Sequence, residues 1–194
     1  MKKTSKETIR TFIAVELPQE IQDGLQKLQS DLRISMPDVR WTKHSNIHLT
    51  LKFLGDVQVS RIDSISRILG DVADQFSPFT MGLAGIGAFP NSRKPRIVWA
   101  GIEKGADRLV EMAKMIESSM QKVGFKREKH PFRPHLTIGR IRQLRNPEIM
   151  RETLDRSLVG ELGEFAVDRI SFIKSQLDPA GSIYTTIFEA LLKE

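Results

Sequence analysis

Apolar and polar residues alternate along several short stretches of the chain, and such alternation predicts β-strands with one buried face. Residues 47–53 are the clearest case, because every odd-numbered position is apolar and every even-numbered position is polar. The other predicted strands cover residues 11–17, 39–42, 79–89, 97–102, 135–141, 165–176 and 183–192. Most of them are bounded by glycine, proline or short polar runs, which are typical of turns.

Between these strands, apolar residues recur at intervals of three and four, the spacing of amphipathic helices. The first predicted helix begins near Pro18, a residue suited to the first turn of a helix, and carries the stripe Ile21, Leu25, Leu28 and Leu32. Three more helices are predicted over residues 60–73, 105–124 and 147–159. Strands and helices therefore mix along the whole chain, which indicates an α+β protein.

A four-residue pattern occurs in two of the predicted strands. It reads His48-Leu49-Thr50-Leu51 in one and His135-Leu136-Thr137-Ile138 in the other, although the chain has only four histidines. Residues two apart share a face of a strand, so each pattern presents an imidazole and a hydroxyl together. Two such strands facing each other would supply acid, base and hydrogen-bond donors for splitting a phosphodiester.

The two halves of the chain have a similar order of elements: strand, helix, motif strand, helix, strand. We therefore predict an α+β fold of two similar lobes, each an antiparallel sheet with helices on its outer face. The lobes are expected to face each other across a central cleft with one His-x-Thr-x motif in each. Residues 1–194 should form one bilobal domain, with residues 1–8 disordered.

Composition narrows the chemistry further. The chain of 194 residues is 40% apolar and 28% charged and has no cysteine, which excludes disulfides and thiolate chemistry and fits a reducing cytoplasm. No apolar run reaches the ~18 residues of a membrane span. The net charge is +6, and residues 122–145 hold eight lysines and arginines against one acid, Glu128. This distribution favours a polyanionic partner such as RNA.

With their flanks, the two motifs resemble those of the 2H phosphoesterase superfamily, and in particular its RNA 2′,3′-cyclic phosphodiesterase branch, also called 2′-5′ RNA ligases. The similar segments are residues 12–18, 48–55, 132–140 and 175–184. The resemblance implies hydrolysis of a terminal 2′,3′-cyclic phosphate on RNA to a 2′-phosphate, with reversible 2′-5′ ligation as related chemistry. It also implies that His48 donates a proton to the leaving O3′ and that His135 activates water, with no metal or cofactor.

Other residues are assigned to substrate binding by residue type and by strand alternation. They are Thr50, Thr137, Lys52, Arg133, Phe132 and Tyr184. The threonines would bind the phosphate oxygens, the two basic residues its charge, and the two aromatic residues the terminal base. Regular alternation disfavours Arg140 unless its strand bulges, and it favours core packing of Phe53 over stacking on the terminal base.

Three other functions are compatible with the residues alone. A metal-dependent hydrolase could use the histidines, although Thr rather than His or a carboxylate stands two residues after each motif histidine. A non-catalytic RNA-binding module would tolerate the same pattern, and so would an enzyme for small cyclic nucleotides. The expected partner is RNA with a terminal 2′,3′-cyclic phosphate, and the expected state is a monomer.

Overall fold

The computed structural model describes residues 7–156, 161–179 and 181–193. In chain order its helices and strands are β1 Thr8–Val15, α1 Gln19–Ser35, β2 Val39–Trp41, β3 Leu49–Gln58, α2 Ile62–Ala73, β4 Phe79–Phe89, β5 Ile97–Ile102, α3 Ala106–Lys122, β6 His135–Ile141, α4 Pro147–Arg156, β7 Glu161–Val167, β8 Arg169–Asp178 and β9 Gly181–Leu191. Short 3-10 helices span His44–Asn46 and Val59–Arg61. The fold is α+β, as predicted.

The described strands form two antiparallel sheets. One has four strands in the order β3-β1-β8-β9, and the other has five in the order β2-β6-β5-β4-β7. Central β1 is apolar on both faces: Ile13 and Val15 enter the main core, whereas Phe12 and Ala14 form a second, small apolar cluster on the opposite face. That second face carries the candidate site.

Helices cover the outer face of each sheet. Helix α2 packs on β8 and β9, and α3 packs on β3 and α2, while α1 packs on β7 and α4 on β4. The predicted stripe Ile21, Leu25, Leu28 and Leu32 is buried along α1. In the described chain the opposite, less buried face of each sheet carries the motif histidines, and we call it the cleft face.

The two lobes are not the two halves of the chain, as the order of elements had suggested. Strands β8 and β9 come from the second half yet pair beside β1 and β3, and β4 comes from the first half yet pairs with β5. The first three strands of the four-stranded sheet, β3-β1-β8, correspond to β6-β5-β4 in the other. The two sheets therefore resemble each other, although each contains strands from both halves of the chain.

Several predicted boundaries differ from the structure. The single strand expected over residues 165–176 is divided at Asp168 between β7 and β8, which lie in different sheets. Thr8 pairs with Gln58, so the expected disorder is wrong for residues 7 and 8, and residues 1–6 lie outside the described chain. The last three residues of the helix predicted to end at 159 lie there too. None of the helices described is long and apolar enough to cross a membrane.

Candidate active site

The two motif histidines come from different sheets and stand at the starts of two neighbouring strands. His48 immediately precedes β3 in the four-stranded sheet, and His135 is the first residue of β6 in the five-stranded sheet. Strands β3 and β6 lie next to each other. The fold thus places two half-buried imidazoles, far apart in sequence, on adjoining strands of the two sheets.

Aromatic rings surround His48. Its imidazole stacks on Phe12, with ring centroids 4.5 Å apart and planes inclined by 25°, and Tyr184 meets it edge-on at 5.2 Å. Burial among these rings lowers the pKa of His48 from 6.5 to about 4, although a backbone hydrogen bond with Asn46 opposes the shift. Without a bound anion, His48 is therefore neutral at neutral pH.

His135 is held in a similar way. Its Nδ1–H donates to the carbonyl oxygen of Arg133 at 2.7 Å, and Phe89 lies edge-on to the ring at 5.0 Å. Because a carbonyl only accepts, this bond puts the Nδ1 proton in place and leaves Nε2 for chemistry. Burial lowers the pKa of His135; the Arg133 hydrogen bond opposes this, and the positive charge of Arg140 adds to it.

Each histidine thus bonds the backbone of the residue two positions earlier and packs against an aromatic ring. Such contacts fix the orientation of an imidazole before substrate arrives. The motif threonines lie beside the rings: Thr50 is paired with Ala14 and Thr137 with Trp99. Both are half-buried.

A β-bulge follows the threonine in each motif strand. In β3, Thr50 pairs with Ala14 and Lys52 with Ile13, which leaves Leu51 without an opposite residue. In β6, Thr137 pairs with Trp99 and Gly139 with Val98, which leaves Ile138 unpaired in the same way. A bulge reverses the alternation of the residues after it, so assignments based on regular alternation fail at this point.

Lys52 is the first assignment that the bulge overturns. It lies on the face of Ile13, opposite to the cleft, and is 2% exposed. Its Nζ donates to Glu117 Oε2 at 2.6 Å and to the carbonyl of Lys126 at 3.1 Å. The prediction that Lys52 binds substrate is wrong, because its charge is used to tie β3 to α3 and to the chain beyond it.

Phe53 and Arg140 lie on the cleft face, because each is the second residue after the extra residue of a bulge. Phe53 pairs with Phe12 on the cleft face, 6.1 Å from its ring, and is 59% exposed rather than in the core. Arg140 pairs with Ile97, which shares the face of Trp99. The intervening Gly139 faces β2, where a Cβ would lie 2.3 Å from the Val39 side chain, so the close approach requires glycine.

The remaining predicted residues divide between cleft and core. Tyr184 is in the cleft, in contact with both Phe12 and His48. Phe132 is half-buried and packs against the main core. Arg133 is exposed, and its carbonyl has a definite role in holding His135, while its guanidinium as a phosphate ligand stays a prediction.

Sequence reasoning missed Phe12 and Phe89, the rings against the two histidines. The available signal for Phe12 was that residues 12–15 are apolar at every position. A strand that is apolar on both faces has to cover its second face with something other than the main core. The described residues contain no group of three or more His, Asp or Glu side chains arranged to hold a metal ion.

The two halves each match one family profile. The profile described as LigT-like phosphoesterase matches residues 15–99 and again residues 101–184, so each match contains one His-x-Thr-x motif. The chain belongs to the LigT-like phosphoesterase family. The resemblance drawn from the motifs and their flanks is thereby confirmed.

Individual members of the LigT-like phosphoesterase family align over nearly their whole length. A protein of Methanothermobacter thermautotrophicus named RNA 2′,3′-cyclic phosphodiesterase is 33% identical, over 91% of this chain and 95% of its own. A Methanocaldococcus jannaschii protein of the same name is also 33% identical, over 93% and 99%. The crystal structure of TT0787 of Thermus thermophilus superimposes with a TM-score of 0.80 and 26% identity, covering 95% of this chain and 98% of that one.

Proposed function

We propose that this protein is an RNA 2′,3′-cyclic phosphodiesterase, which hydrolyses a terminal 2′,3′-cyclic phosphate to a 2′-phosphomonoester. The observation that carries the proposal is the pair of pre-oriented imidazoles, one from each sheet, each with a threonine two residues later. The names of the two relatives point to the same reaction and substrate. They do not favour a binding module or an enzyme for small cyclic nucleotides.

In the proposed reaction, the oxygen of a water molecule attacks phosphorus as His135 Nε2 accepts its proton. The bond from phosphorus to O3′ breaks, and His48 gives the departing O3′ a proton. The product carries a 2′-phosphate and a free 3′-hydroxyl. General acid–base assistance of this kind accelerates a reaction by roughly 10² to 10⁴ for each group. No metal or other cofactor takes part in the proposal.

The roles of the two imidazoles depend on the charge of the substrate. Because burial brings the pKa of His48 to about 4, its acid form is scarce in the free protein at neutral pH. An anionic cyclic phosphate in the cleft stabilises an imidazolium beside it and so raises that pKa. His48 is thus protonated, and able to act as the acid, only when substrate is bound, while neutral His135 acts as the base.

Three further groups support the transition state in this proposal. The hydroxyls of Thr50 and Thr137 donate hydrogen bonds to the non-bridging phosphate oxygens, and Arg140 supplies positive charge next to His135. Exposed Phe53 and half-buried Tyr184 offer aromatic surface on the other wall, where a terminal base can stack. The same attack by a 5′-hydroxyl in place of water would form a 2′-5′ linkage, so reversible ligation belongs to the proposal.

The partner in this proposal is RNA, which agrees with the basic residues 122–145. A cytoplasmic location and a monomeric state stay predictions. Size-exclusion chromatography coupled to light scattering tests the second.

The reaction is tested by the product that the wild-type protein forms. A short RNA ending in a 2′,3′-cyclic phosphate is incubated in ¹⁸O-water and followed by ³¹P NMR and mass spectrometry. The expected product is a 2′-phosphate carrying a single ¹⁸O, and the same RNA ending in a linear 3′-phosphate should be unchanged. Formation of a 3′-phosphate, or no reaction of the cyclic phosphate, would contradict the proposal.

A further inference from the structure

Two arginines lie directly opposite each other on the cleft face of the five-stranded sheet. Arg40 of β2 pairs with Arg140 of β6, and Arg140 in turn pairs with Ile97 of β5. Paired residues share a face, and Ile97 lies on the face of Phe89, the ring that touches His135. Both guanidinium groups therefore project on the side of the sheet where the catalytic histidines lie, and both residues are exposed.

Like charges directly opposite each other in a sheet destabilise it, so an arrangement of this kind needs a reason. In the described part of the chain, neither arginine has an ion pair. Asp38, two residues before Arg40, is already bonded to Arg145, at 2.9 Å from Nε and 2.7 Å from the backbone N–H. Both guanidinium groups are thus available to an anion from outside the protein.

We propose that Arg40 and Arg140 bind the phosphodiester one linkage upstream of the terminal cyclic phosphate. This inference rests on the proposed function and adds what makes the site prefer an RNA chain to a mononucleotide. Arg40 stands roughly 10 Å along the strand from Thr137, and one strand further out, so it is placed for a second phosphate. Arg140 lies between Thr137 and Arg40 and can contact both the terminal and the upstream phosphate.

The location of β2 agrees with a path for the polymer. It is the edge strand of its sheet, so an RNA chain that passes Arg140 and Arg40 leaves the cleft across that edge without meeting another strand. Arginine is well suited to this task because its planar guanidinium binds two phosphate oxygens at once. A charged residue on an edge strand also discourages edge-to-edge aggregation, and this is the competing explanation for Arg40.

The test compares two substrates that differ by one internal phosphate: 2′,3′-cyclic AMP, and the dinucleotide ApA ending in a 2′,3′-cyclic phosphate. Arg40→Gln is compared with Arg33→Gln, a matched loss of one charge near the end of α1, a helix on the outer side of the same sheet. We expect Arg40→Gln to lower kcat/KM for the dinucleotide about tenfold or more, mainly through KM. Its kcat/KM for the mononucleotide should stay within about twofold of wild type, and Arg33→Gln should change neither value.

Salt dependence gives a second readout that a structural role would not change. Each phosphate contact to single-stranded RNA contributes about 0.7 to the slope of log affinity against log salt, so Arg40→Gln should reduce that slope by about this amount on a labelled oligonucleotide. An equal loss on both substrates would overturn the proposal, because Arg40 would then act on the scissile phosphate or on the fold. No loss on the dinucleotide would also overturn it and leave Arg40 as protection of the edge. If wild type opens neither substrate, the proposed reaction fails, while the salt slope still tests Arg40.

Discussion

Acid should destabilise the folded protein through His48, because its imidazole is packed between Phe12 and Tyr184. Burial lowers the pKa of His48 from 6.5 to about 4 in the folded state, whereas an unfolded chain leaves it near the ordinary value of about 6.5. Between those two pH values the unfolded chain binds a proton that the folded protein does not, so stability decreases as pH decreases. The contribution is complete above pH 6.5 and is lost as the pH falls towards 4.

The size of the effect follows from the same two pKa values. A shift from 6.5 to about 4 corresponds to roughly 3 kcal/mol when the full range is crossed. Over the practical interval from pH 7 to pH 5, linkage gives a loss of about 2 kcal/mol in the free energy of unfolding. His48→Asn removes the titrating group and keeps a polar side chain, so it should abolish this part of the pH dependence.

Urea unfolding of wild type and His48→Asn at pH 7 and pH 5 measures the effect. Other groups titrate equally in the two proteins and cancel in the difference between them. We expect the stability of wild type relative to the variant to fall by about 2 kcal/mol on going from pH 7 to pH 5. A difference that stays constant between the two pH values would refute the reasoning, because His48 would then titrate alike in the folded and unfolded states.

Three further predictions concern single side chains of the site and its support. Thr50→Val and Thr137→Val should each lower kcat about tenfold or more without changing the urea midpoint, since each removes one hydrogen bond to phosphate. Full activity of either variant would contradict the role of that threonine as a phosphate ligand. Lys52→Met leaves the Glu117 carboxylate without its cation and should cost about 3 kcal/mol of stability in urea unfolding. The double variant Lys52→Met with Glu117→Leu should recover part of this loss. Equal stability of the single and double variants would argue against a stabilising Lys52–Glu117 ion pair. Phe12→Ala admits water to His48, so NMR titration should show a pKa raised towards 6.5, and an unchanged pKa would show that Phe12 does not cause the burial.

Much of the fold was predictable because its elements carry strong local patterns. Strands β4, β5 and β6 begin and end where alternation and flanking turns placed them, and the stripe of α1 is buried as expected. The separation of β7 from β8 was not predictable in the same way. No glycine or proline interrupts residues 165–176, and only the pairing partners of each strand, far away in sequence, assign them to different sheets.

The residues of the site were likewise predictable only where a local motif defines them. The histidines and threonines follow from a local motif, whereas Lys52, Phe53 and Arg140 depend on two bulges that regular alternation does not reveal. A bulge is set by how a strand meets its neighbours, here β1 for Thr50 and β5 for Thr137, and a single extra residue exchanges the two faces from that point on. The predictions for these three residues failed because their orientation depends on pairing between strands and not on the local sequence.

The two-histidine mechanism is tested most directly by turnover of a short RNA ending in a 2′,3′-cyclic phosphate, in excess EDTA, by wild type, His48→Ala and His135→Ala. We expect wild type to form the 2′-phosphate with EDTA present, and each variant, shown to be folded by circular dichroism, to be slower by about 10² or more. Turnover that survives the loss of either histidine, or that stops in EDTA and returns with a divalent metal, would contradict metal-independent catalysis by this pair.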